Sequence, residues 1–75
     1  MNKERRDQLR IVIQKIENLI KTVEIILCDE QDAYDNVPDS LKESDRGMES
    51  IEAQDNMEAA IEALEEASSC LEEMC

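Results

Sequence analysis

Between residues 9 and 27, apolar side chains recur at steps of three and four: Leu9, Val12, Ile13, Ile16, Leu19, Ile20, Val23, Ile26 and Leu27. That period lays them along one stripe of a helix, and the pattern predicts a helix over about residues 3–34. At ~1.5 Å per residue it is ~45 Å long, longer than a single globular helix usually needs. Ile11 and Ile25 fall off the stripe. In a two-helix monomer they face solvent, which makes them candidate residues for an oligomer interface.

The second half follows the same logic with smaller residues. Met48, Ile51, Met57, Ile61, Leu64, Ser68, Leu71 and Cys75 form a stripe flanked by Ala60, Ala63 and Ala67. This predicts a second helix over about residues 45–74. Gln54 stands where an apolar residue is expected. A polar seam residue can set register at a cost in stability, and a solvated helix end explains it equally well. Two helices, each with one apolar stripe, predict an all-α fold: an antiparallel αα-hairpin forming one domain of residues 1–75. Such hairpins assemble into four-helix bundles or larger helical oligomers.

Residues 35–44 read as the hinge. Asn36 suits a left-handed residue that ends the first helix. Pro38 forbids helix through itself and biases Val37 to an extended conformation. Ser40-Leu41-Lys42-Glu43 matches a capping box, and Ser44-Asp45 is a competing N-cap with an acid in the first turn. The reading favours a short helical turn over Pro38–Leu41 and a main helix that begins after Ser44. Gly47 then lies in the first turn, where the missing side chain admits a close approach. A bend near residue 39 sets Cys28 opposite roughly residue 50 and Cys70 opposite roughly residue 8. These thiols are then ~30 Å apart along the axis, far beyond the ~7 Å between Cα atoms that a disulfide spans.

Composition narrows the picture. The chain has 75 residues, one Tyr and neither Trp nor Phe, so a single core is marginal without a second copy. Its net charge of −12 is uneven: residues 1–32 carry six basic and seven acidic side chains, residues 33–75 two and thirteen. The second half should repel nucleic acid and anionic membranes and attract a basic protein surface. The cluster Lys3, Arg5, Arg6 and Arg10 is expected to neutralise the acidic C-terminal end beside it. The start MNKERRDQLR lacks the apolar run of a signal peptide, no stretch is long enough to span a membrane, and three Cys read as reduced thiols. A cytoplasmic location is expected.

Candidate chemistry is sparse. Histidine, the commonest general base and transition-metal ligand, is absent. No phosphate loop, nucleophile elbow or zinc spacing occurs, and Asp29, Asp32 and Asp35 lack calcium-loop spacing. No enzyme activity, cofactor or metal is expected. Two features remain. Glu52, Asp55, Glu58, Glu62 and Glu65 form an acidic face, which either imitates a phosphate backbone toward a basic protein or simply keeps the chain solvated. Tyr34, Asn36, Lys42 and Arg46 gather at a helix N-terminus, where Tyr can stack on a base and Arg can grip a phosphate. The plainer alternative packs Tyr34 over Leu41 and Met48 and pairs Arg46 with Asp35 or Asp45.

The hinge segment EQDAYDNVPDSLKESDRG, residues 30–47, resembles the central segment of small acidic helical proteins of bacteriophages and mobile elements. Those proteins share E-Q-x-A-aromatic-D-N-x-P-x-S-L followed by S-acid-R-G. The opening MNKERR fits them too, whereas the tail departs, with SSC and MC where they tend to have Ala and Ile. The family carries no established activity, so the resemblance implies a setting: a bacterial host cell, in which a small phage protein occupies a host surface or sequesters a ligand. Three functional expectations follow. The first is a host-defence inhibitor acting through its acidic helices. The second is an oligomeric sponge for a small signalling nucleotide at the hinge, and the third is a structural scaffold or spacer.

Overall fold

A computed structural model describes all residues, Met1–Cys75, and is all-helical: α1 (Lys3–Asp35), α2 (Asp39–Lys42) and α3 (Asp45–Glu72). Asn2 caps α1, its side chain accepting the Arg5 N–H at 2.9 Å, and so satisfies one of the free donors of the first turn. Asp7 takes Lys3 Nζ and Arg10 at 2.9 Å each. These pairs are exposed and add only a few tenths of a kcal/mol. No helix is long and apolar enough to cross a membrane.

The molecule measures 58 × 15 × 12 Å. One unbroken helix of this length would reach ~110 Å at ~1.5 Å per residue, so the break folds the chain back on itself. α3 packs along α1. Near the break, Ser50 Oγ donates to Glu30 at 2.9 Å. At the far end, Cys75 Sγ donates to the Arg6 carbonyl at 3.7 Å. These two bonds set the alignment: Ile20 stands level with Ile61, Ile13 with Ser68, and Cys70 with residues 10–11. The pairing lies two to three residues beyond the one expected from a bend at residue 39.

Burial follows one repeat on both helices, with few departures. On α1 the covered positions are Leu9, Ile13, Ile16, Ile20, Val23, Leu27, Glu30 and Tyr34, with Asp7 and Gln31 partly covered off the repeat. On α3 they are Gly47, Ser50, Gln54, Met57, Ile61, Leu64, Ser68 and Leu71, with Ala53 beside them. Steps alternate between three and four, the signature of a coiled-coil seam. Coverage is thin. Only Ile13 and Ile20 are buried apolar residues, and no side chain is fully enclosed.

Two readings of the seam need correcting. Met48 and Ile51, expected on the inner stripe, face outward, and Met48 is 64% exposed. Gly47 and Ser50 take their place, one position earlier along the chain, while Gln54 keeps the seam position read for it. The reason is close approach: a Cβ on Gly47 would stand 2.6 Å from the Lys42 carbonyl carbon, 2.9 Å from its Cα and closer still to its oxygen. Only a small residue fits there, which turns the larger neighbours out. Val12, Leu19 and Ile26 also flank the seam and do not fill it; all three are exposed. Ile11 and Ile25 are exposed as well.

Candidate functional site

The hinge is assembled mostly by backbone bonds. α1 ends on a tightened turn, with Asn36 N–H donating to Asp32 O at 3.2 Å and Val37 N–H to Tyr34 O at 3.1 Å. Asn36 keeps right-handed dihedrals (φ −85°, ψ −5°), so the left-handed ending expected of it does not occur. No residue in the chain has positive φ. Pro38, unable to donate, opens α2 instead, and its carbonyl accepts from Leu41 at 2.8 Å and Lys42 at 3.2 Å. The Ser40 capping box does not form, because Ser40 lies inside α2.

Ser44 stands at the N-cap of α3, yet its hydroxyl turns back to the Leu41 carbonyl and caps nothing in α3. The leading N–H groups of α3 therefore have no side-chain partner. They carry the positive end of the helix dipole and favour an acceptor or an anion. Asp45 in this turn supplies part of that negative charge.

These elements border an open hollow of about 580 Å³ lined by Tyr34, Asn36, Val37, Pro38, Leu41 and Arg46, together with Glu30, Ala33, Ser44, Gly47 and Ser50. Tyr34, Asn36 and Arg46, three of the four hinge residues singled out in the sequence, line this one space. Lys42 does not line it. Its ammonium lies 5.2 Å from the Tyr34 ring centroid, a cation–π distance, and 3.4 Å from Asp39. Arg46 forms no ion pair; the pairs within the chain are Lys3–Asp7, Arg10–Asp7 and Lys42–Asp39. The partners Asp35 and Asp45 considered for it are not used. Leu41 and Met48 are both exposed, so Tyr34 is only half covered and is not sealed under them.

A polar layer adjoins the hollow through Glu30 and Ser50. Glu30 accepts from Ser50, and Gln54 donates to the same Ser50 hydroxyl at 3.3 Å. Sequence reasoning found Gln54 but missed Glu30 and Ser50. The signal was available: Glu30 continues the three-four repeat of α1 after Val23 and Leu27, and Ser50 falls on that of α3 once Gly47 is taken as its first member.

The acidic residues occupy a separate surface. Glu52, Asp55, Glu58, Glu62 and Glu65 are all exposed and share one side of α3, away from Ala53, Ala60 and Ala67. Met48 and Ile51 border them, together with Lys42, in a shallow groove. Asp29, Asp32 and Asp35 form no metal-binding cluster, and no other group of three ligating side chains converges in the chain. Cys28, Cys70 and Cys75 are free, exposed thiols. No family model, no curated protein and no solved structure matches this chain.

Proposed function

We propose that this chain is a non-enzymatic binding protein: an antiparallel αα-hairpin that self-associates into a four-helix bundle and blocks a basic protein surface with its acidic helices. The observation that carries this reading is the sorting of charge on α3. Five carboxylates, Glu52, Asp55, Glu58, Glu62 and Glu65, lie on one exposed side with Ala59 among them, whereas the row of Ala53, Ala60, Ala63 and Ala67 carries no charge beyond Glu49 at its start. Packing of the alanine row alone would also separate the charges; beyond that, a rigid row of carboxylates matches a groove evolved for phosphates. The resemblance of residues 30–47 to phage and mobile-element proteins supplies the setting, the cytoplasm of a bacterial host, and makes a defence or nucleic-acid-handling factor the partner. Neither nucleic acid nor a membrane is bound directly.

The test is a binding isotherm with the captured partner. Raising salt from about 0.05 to about 0.5 M should weaken the complex at least tenfold, since screening shortens the reach of exposed charges. The triple variant Glu58→Gln, Glu62→Gln, Glu65→Gln should weaken it at low salt. A complex indifferent to both changes overturns the reading.

The hinge hollow favours a second reading, an oligomeric sponge for a small signalling nucleotide. Its support is the placement of Tyr34, Asn36 and Arg46 around one space beside an uncapped helix start. Native mass spectrometry of the protein purified from its host should then show a retained mass of nucleotide size. Tyr34→Ala and Arg46→Ala should each abolish retention with helicity and subunit number unchanged; retention in both variants ends this idea.

A further inference from the structure

The two-helix layer leaves one of its faces apolar. Val12, Leu19 and Ile26 each precede a seam residue of α1 by one position, and Ala53, Ala60 and Ala67 do the same on α3. In an antiparallel pair these positions flank the same side of the seam, so the two rows share a face. Val12, Leu19 and Ile26 remain 40%, 55% and 52% exposed there. The opposite face carries Glu17, Glu24, Glu58 and Glu65, all exposed.

We propose that a second copy of this chain docks on the apolar face as an isologous dimer. In it, the Val12–Leu19–Ile26 ridge of each copy lies in the alanine groove of the other copy's α3. This rests on the self-association proposed above and deepens it by naming the face and its contacts.

Exposed area, shape and charge each select this occupant. The chain exposes 5735 Å², whereas a compact protein of 8.6 kDa exposes ~4,700 Å². The excess of roughly 1,000 Å² is close to the ~800 Å² that each partner hides in a standard stable interface. Shape follows from symmetry. A two-fold axis parallel to the helices keeps every residue at its own level, and that level sets Leu19 of one copy against Ala60 and Ala63 of the other. Val12 then meets Ala67, and Ile26 meets Ala53. Large side chains enter a groove of small ones at all three levels, and each contact occurs twice.

Charge decides between the two ways of stacking these faces. An axis across the helices would lay α3 on α3 and bring the two most acidic segments together, at a Coulombic cost. The axis along the helices lays each α3 on an α1, nearly neutral over residues 1–32, and sends the two α3 helices to opposite corners. All neighbouring helices are then antiparallel, as in a simple four-helix bundle. Both acidic faces point outward. Ile11 and Ile25 point away from the seam and stand outside this interface, with Asn18 between them on the same row.

Sedimentation equilibrium of the full chain tests the assignment, with circular dichroism as a check on helicity. Ala60→Leu makes the face more apolar but fills the groove. It should weaken the dimer at least tenfold while the chain stays helical, and adding Leu19→Ala in the same chain should restore most of the loss. If Ala60→Leu leaves association unchanged or tightens it, the face is wrong and self-association stands. A wild-type chain that is monomeric at about 100 μM, well above any useful dissociation constant, overturns both.

Discussion

The two ends of the α1–α3 seam follow one repeat but are filled differently. Away from the hinge, Ile13, Ile16 and Ile20 stand level with Ser68, Leu64 and Ile61, and the layers are nearly all aliphatic. Near the hinge, Leu27, Glu30 and Tyr34 stand level with Gln54, Ser50 and Gly47. Polar bonds and backbone contact replace side-chain packing there. The comparison separates two jobs along one pair of helices. The far end supplies apolar burial, the main stabilising term in folding. The near end gives up burial to hold an open hollow, a polar layer beside it and an uncapped helix start in place.

Substitutions break this contrast if it is wrong. The largest effect belongs to the far end. Ile20→Ala removes one of the two buried apolar side chains and should cost about 2–4 kcal/mol in urea or thermal unfolding. A cost under about 1 kcal/mol would mean that this end is not where stability resides. Next comes Gly47→Ala, where the sign is informative. On an open helix surface the change stabilises by up to ~1 kcal/mol, but against the Lys42 backbone it should destabilise by about 1–3 kcal/mol. A gain in stability would show that α3 does not approach α2 so closely.

Smaller effects sharpen the comparison. Ser50→Ala loses the bonds to Glu30 and Gln54 and should cost about 1 kcal/mol, whereas Gln54→Leu extends the aliphatic seam toward the hinge and should raise stability by about as much. If both changes destabilise equally, the polar layer is a cooperative unit and not a concession to the hollow. Smallest of all, Ile11→Glu and Ile25→Glu should stay within about 0.5 kcal/mol and leave the subunit number as it is.

Helix existence was legible because Ile, Val and Leu at steps of three and four leave little choice of period, and Pro38 marks the interruption from either side. The helix limits of the structure fall within one or two residues of those predicted. The inner face of α3 near the hinge was less legible. Apolar periodicity weights large side chains, so Met48 and Ile51 outranked Gly47 and Ser50, although backbone proximity is what selects the inner row. Asn36 misled for a related reason. Its tolerance of left-handed dihedrals is a capacity, and a tightened last turn followed by Pro38 ended the helix without using it. At the hinge, the grouping of Tyr34, Asn36 and Arg46 by residue type matches three residues that line one hollow, whereas Lys42 lies against Tyr34 and Asp39 and outside that lining.

The chain's single Tyr, with no Trp or Phe anywhere, sits in the wall of the hinge hollow with an ammonium over its ring. Every near-ultraviolet photon the side-chain rings absorb is therefore absorbed at the hinge. Far-ultraviolet dichroism reports the helices as a whole, while tyrosine emission reports one turn. Followed side by side during melting, the two signals would diverge if the hinge loosens before the seam, and neither an added dye nor a substitution is needed to see it.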